Sequence, residues 1–178
     1  MSLQNLPAGK EAPQDLYVVV EIPMNVPHIK YEIDKDTELL FVDRFPMSTM
    51  SYPAHYGFVN KTLDMDGDPL DAFVYTDLPV HPGSVVRARP VGVLFTEDES
   101  GGDAKLICVP HKKLDPRFDK IQNYTDLPEM FIKQVEDFFN NHKNLEAGKW
   151  VKIKAWGDAK EAMAVVEKDI KSYQAAAK

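Results

Sequence analysis

Residues 84–110 read SVVRARPVGVLFTEDESGGDAKLICVP. Two apolar, β-branched runs, 84–95 and 104–110, flank an acidic connection containing Gly101 and Gly102. That pattern predicts a β-hairpin with Asp98 and Asp103 at its two mouths. Working upstream, DAFVY (71–75) reads as a short strand opened by Asp71, and LYVVVEIP (16–23) as another ended by proline. HIKYEID (28–34) and ELLFVDRF (38–45) pair across the turn DKDT. In the first of these, Ile29, Tyr31 and Ile33 alternate with Lys30, Glu32 and Asp34, so one face is apolar and the other charged. Downstream the period changes. Phe131, Val135, Phe138 and His142 form one helical stripe behind Pro128, with Gly148 beyond its end. KWVKIKAW (149–156) alternates as a strand, and Asp158 and Glu161 have the capping-box spacing of a final helix. The expected fold is mainly β with helices (α+β): many short strands closing into a small barrel, and two helices in the C-terminal half.

The 178 residues suit a single domain, 1–178, that opens with a polar, proline-containing arm over 1–15. With 44% hydrophobic and 28% charged residues, the composition is that of a globular chain and not of a disordered one. A formal net charge of −7 argues against a nucleic-acid partner, which calls for a basic face. The lone cysteine, Cys108, sits in the apolar run KLICV, so no internal disulfide is expected and a reducing compartment fits. The N-terminal residues lack the apolar core of a signal peptide, and no run of about 18 apolar residues occurs for a membrane span. A cytoplasmic location is the expectation.

Chemistry is concentrated in LDMDGDPLDAF (63–73), which places Asp64, Asp66, Asp68 and Asp71 within eight positions. Two carboxylates about 4 Å apart repel by about 4 kcal/mol at an effective dielectric of 20. They must splay into water as a solvated turn, or gather a cation. An EF-hand loop is excluded, because its sixth and twelfth positions would be Pro69 and Tyr75 where glycine and glutamate are needed. The second acidic knot, Glu97 to Asp103, by itself reads more readily as a solvated loop. Both knots, however, lie at strand ends, which a barrel can bring to one rim. Oxygen donors without His or Cys favour magnesium, calcium or manganese over zinc. Such a site serves phosphate oxygens, and Lys30 and Arg44 are the nearby cations able to hold them. Taken singly, Lys30 also reads as an exposed strand lysine and Arg44 as the partner of Asp43.

The run Asp66-Gly67-Asp68-Pro69-Leu70-Asp71-Ala72 resembles the signature of the soluble family I inorganic pyrophosphatases. PAGKEAP, YVVVEIP, IKYEIDK, FVDRF, YPAHYGF, PGSVVRARPVGVL, DESGGDAKL and GKWVKIKAW are similar to the bacterial members in order, over essentially the whole chain. The resemblance implies an OB-fold-type five-stranded closed barrel, a homohexamer, and Mg2+-dependent hydrolysis of pyrophosphate to phosphate, with several Mg2+ per site and Mn2+ or Zn2+ as substitutes. It implies metal binding by Asp66, Asp71, Asp98 and Asp103, and a general base at Asp68. Lys30, Arg44, Tyr56 and Lys143 match groups that bind phosphate oxygens. Glu21 and Glu32 match acidic residues that hold metal-bound waters, and Tyr52 and Lys105 match residues that line the site. One position departs: where the family carries tyrosine before the lysine matching Lys143, this chain has His142. An imidazole titrating near pH 6.5 is expected there, either donating a hydrogen bond to phosphate or serving the fold alone. A calcium-binding module, an OB-type nucleic-acid binder and a barrel without activity are the competing readings, and magnesium-dependent catalysis separates the enzyme from all three.

Overall fold

The computed structural model describes residues 3–26 and 29–177. In chain order the strands are β1 (Gly9–Glu11), β2 (Asp15–Ile22), β3 (Lys30–Ile33), β4 (Leu40–Arg44), β5 (His55–Val59), β6 (Asp71–Val74), β7 (Val85–Asp98), β8 (Gly101–Pro110) and β9 (Val151–Gly157). The helices are α1 (Glu129–Asn141), before β9, and α2 (Ala159–Ala176) after it. Strands β2, β5, β6, β8 and β7 pair in that order, and β7 pairs again with β2, so the five form a complete circuit. That is the expected closed barrel. Only the β6–β8 contact within it is parallel. β1 and β9 extend the sheet, while β3 and β4 form a separate hairpin. The strand read from His28 begins at Lys30; His28 itself lies outside the described residues.

Burial explains why these segments order. Val18, Val20, Leu106 and Cys108 pack with Ala162 and Val166 of α2. Phe73, Leu94 and Ile107 pack with Phe131, Val135 and Phe138 of α1. Burying each such large apolar side chain stabilises the fold by about 1.5–3 kcal/mol. Pro128 stands at the N-cap of α1, and Asp158 accepts from Glu161 N at 2.9 Å in the predicted capping box of α2. Among the described residues, no helix is long and apolar enough to cross a membrane.

Three features differ from the sequence reading. The β7–β8 hairpin is tighter than expected: pairing continues to Asp98↔Gly101, leaving only Glu99 and Ser100 in the turn. Asp103 therefore lies inside a strand, opposite Thr96. Residues 55–59, not read as a strand, form β5 between β2 and β6. Glycine is required there, since a Cβ on Gly57 would fall 1.9 Å from the Val19 carbonyl oxygen. The arm is also anchored, with Leu3 buried and Gly9–Glu11 paired to β2.

Asp169 on α2 is fully buried, and neither carboxylate oxygen accepts a hydrogen bond. Its ion-pair neighbour, the Lys168 Nζ, is 3.7 Å away. Burial, aided by Asp64, pushes this carboxyl up to about 6. A raised carboxyl means that the folded state holds the proton more tightly than the unfolded one, so stability is lost as pH rises from about 4 through about 6. Asp169→Asn is therefore expected to add about 1–3 kcal/mol at pH 8, equivalent to about 2–12 °C in Tm for a chain of this size. The gain should vanish near pH 4, and thermal melts at the two pH values check both halves.

Candidate active site

Strand alternation builds the floor of the site. Cross-strand partners and every second residue share a face, so Thr96 and Asp98 of β7 lie on one side with Asp103 and Lys105 of β8. Glu97 points the other way and pairs with Lys154 at 2.7 Å. The parallel register sets Asp71 beside Lys105. The connection between β5 and β6 supplies Asp66 and Asp68. There the Asp66 Oδ1 accepts from Asp68 N at 3.0 Å, and Gly67 has φ +93, a conformation that costs glycine little. Asp64 docks this turn on β8 by accepting from Ala104 N at 3.2 Å.

These groups line a cavity of about 240 Å³. At its base, Lys105 is buried between Asp71 and Asp103, with its Nζ 2.5 Å from an Asp103 oxygen and hydrogen-bonded to Asp71. Burial opposes the Lys105 charge, but the two aspartates outweigh it and hold the ammonium above the usual lysine range. Tyr56 donates to Asp71 at 2.5 Å. Burial pushes the Asp103 carboxyl up to about 6 even with Lys105 beside it. The Asp68 carboxyl is also raised, by partial burial first and then by Asp66, Asp71 and Glu32.

Basic side chains line the same cavity. β3 and β4 pair with Lys30 opposite Arg44. The Lys30 Nζ lies 3.3 Å from Asp43 and 3.7 Å from Glu32; Arg44 reaches Asp43 at 3.0 Å and Glu146 at 3.9 Å. Lys143, just beyond α1, donates to Asp98 at 2.9 Å. Burial opposes ionisation of Asp98, but this contact lowers its carboxyl overall. Glu21 is buried behind the site, accepts from Ile33 N at 2.8 Å, and is pushed up by burial to about 7.

A family model for inorganic pyrophosphatase matches residues 18–174. The chain is 56% identical over 174 residues to the inorganic pyrophosphatase of Pseudomonas aeruginosa, covering 98% of this chain and 99% of that one. It is 54% identical over 166 residues to that of Escherichia coli, covering 93% and 94% respectively. The crystal structure of inorganic pyrophosphatase from Thermus thermophilus matches with a TM-score of 0.92 at 43% identity, covering 98% of this chain and 99% of that one. This chain belongs to the inorganic pyrophosphatase family.

In this pyrophosphatase-family chain, every residue to which the resemblance gave a site role lines the same cavity, from Glu21 and Lys30 to His142 and Lys143, whereas Asp64 and Glu97 of the two acidic knots do not. Sequence reading missed Lys35 and Glu146, which also line it. Lys35 looked like part of an ordinary turn, and only the fold shows its Nζ reaching the Ile33 carbonyl at 2.9 Å and Glu21 at 3.5 Å. The ion pair of Arg44 with Asp43 does form, yet Arg44 lines the cavity as well.

His142 is held by the fold, one of the two roles read for it, and differs from expectation in its titration. It caps α1, with its ring stacked on Phe138 at 4.6 Å and 9°. Its Nδ1 lies 2.9 Å from the Phe138 carbonyl oxygen, so the ring's N–H is spent on the helix. Burial lowers its pKa to about 4 rather than leaving it near 6.5.

The donor set fits divalent cations. Among the described residues, no three acidic, His or Cys side chains are drawn together tightly enough to hold one ion, and lysine ammonium groups lie between the carboxylates instead. The cavity wall nonetheless carries eight carboxylates against five Lys and Arg side chains. That excess negative charge, from oxygen donors alone at the four aspartates, suits hard cations that arrive with an anionic substrate.

Proposed function

We propose that this chain, as one domain over residues 1–178 built on an OB-type barrel, hydrolyses inorganic pyrophosphate to two phosphates in a Mg2+-dependent reaction. One observation carries the reading: acidic residues from β6, β7, β8 and the turn before β6 line one cavity together with the basic side chains Lys30, Arg44 and Lys143. A polyanion needs both kinds of group, carboxylates to gather metal and cations to hold phosphate oxygens. Asp66, Asp71, Asp98 and Asp103 would hold Mg2+, with Mn2+ or Zn2+ as substitutes; these ions neutralise the substrate and acidify the attacking water.

The chain's own groups divide the remaining work. Asp68, with its raised carboxyl, takes the proton of the attacking water. Lys30, Arg44 and Lys143 hold the leaving phosphate by charge-assisted hydrogen bonds. Tyr56 and Lys105 fix the Asp71 carboxylate by direct hydrogen bonds, and Tyr52 packs on Tyr56 at 5.0 Å. Glu21 and Glu32 add to the acidic lining of the cavity. A cytoplasmic role removing the product of pyrophosphate-releasing biosynthesis fits the buried free Cys108. Exposed Leu39, Phe41, Val42 and Phe45 support assembly, which we take to be a homohexamer.

The test is phosphate release from pyrophosphate at neutral pH. Rapid release with Mg2+ and little after chelation is the expected result. A folded protein releasing no phosphate in either condition would sink the proposal.

A further inference from the structure

The polar edges of His142 are not equivalent. Stacking on Phe138 and edge-on contact with Phe139 at 5.7 Å and 88° fix the ring plane. A carbonyl oxygen only accepts, so the 2.9 Å contact with Phe138 places the ring proton on Nδ1. Burial keeps the second proton off at neutral pH. Nε2 is then a bare lone pair on a ring that lines the substrate cavity. The cations Lys143 and Arg44 and the carboxylates Asp98 and Glu146 line the same cavity.

We infer that His142 acts as a hydrogen-bond acceptor for a protonated phosphate oxygen, so that this cavity selects phosphate groups carrying a P–OH over anions that carry no proton. The inference rests on the pyrophosphatase reading of the cavity. A tyrosine hydroxyl at this position could donate or accept. The imidazole held here can only accept. Facing a bare anionic oxygen, its lone pair would meet a lone pair; facing P–OH, it completes a hydrogen bond. Lys143 supplies charge without regard to the proton, and His142 reads the proton.

Inorganic phosphate and sulfate separate these cases, because phosphate retains a proton at neutral pH and sulfate has none. Binding of each to the Mg2+-loaded protein is measured by calorimetry for wild type, His142→Tyr and His142→Phe. Phenylalanine keeps the stack on Phe138 but neither donates nor accepts. Wild type is expected to prefer phosphate by roughly ten-fold, the scale of one mismatched buried hydrogen bond. Both variants should lose most of that preference, the tyrosine variant chiefly by gaining sulfate. Long-range 1H–15N NMR of the wild type, which needs no variant to fold, should find Nδ1 protonated and Nε2 bare. A phosphate-to-sulfate ratio unchanged by both substitutions, or a proton on Nε2, overturns the inference. Wild-type pyrophosphate hydrolysis is measured alongside. Its absence defeats the pyrophosphatase reading, whereas normal hydrolysis with an unchanged ratio defeats only the role of His142.

Discussion

Replacing Asp68 by asparagine is expected to lower kcat for pyrophosphate by about 10²–10⁴-fold, the range associated with a general base, while leaving the protein folded. The side chain is exposed at the mouth of the cavity, and its carboxylate accepts no hydrogen bond from the described residues. The surrounding turn is held instead by backbone contacts, Asp68 N to Asp66 and Asp64 N to Asp68 O at 2.9 Å. Asparagine keeps both and removes a charge that Asp66, Asp71 and Glu32 already oppose. The cost should therefore fall on the chemical step and hardly on stability or KM. Steady-state phosphate release at saturating Mg2+, with a melting curve, checks both. A loss of only a few-fold, or one confined to KM, would move the base elsewhere.

Lys105→Met should have its largest effect on the metal-free protein. The ammonium is buried against Asp71 and Asp103 and is their closest counter-charge. Methionine fills much of the space but leaves two carboxylates without a cation. Breaking a buried ion pair from one side costs about 3–5 kcal/mol, or about 6–20 °C in Tm for a chain of this length. Mg2+ should recover most of the loss, because an ion bound by the same carboxylates restores the missing charge and stabilises the folded state by mass action. Melts in EDTA and in millimolar Mg2+ give the comparison. If Mg2+ raised Tm no more in the variant than in wild type, Asp71 and Asp103 would not be cation ligands.

Much of the architecture is legible in sequence because it follows from short-range rules. The α1 stripe, the α2 capping box and the β3–β4 hairpin depend on residues within one element or one turn. β5 was not legible: His55 is buried and hydrogen-bonded to Met24 N, Thr76 and Leu78, and Gly57 is set by its approach to β2. Those causes lie far away along the chain. Asp103 illustrates the same limit within the site. Acidic residues beside two glycines resemble a loop, yet pairing with β7 draws them into the ladder. The residues that line the cavity were legible through resemblance, and their electrostatics were not. Nothing in the pair His142-Lys143 reveals that the imidazole N–H is consumed by Phe138.

The β7–β8 ribbon carries Asp98 and Asp103 toward the cavity on alternate positions, while Glu97 serves β9 on the reverse side. Side-chain direction along such a ribbon has a period of two. One residue inserted between Phe95 and Asp98, or deleted between Asp103 and Lys105, would turn the acids outward and bring their neighbours in. The two-residue tip, Glu99 and Ser100, is the place where added length leaves that phase untouched. Length variation among functional descendants of this gene should accordingly be tolerated at the tip and excluded from the arms, whatever the hydrophobicity of the residue gained or lost.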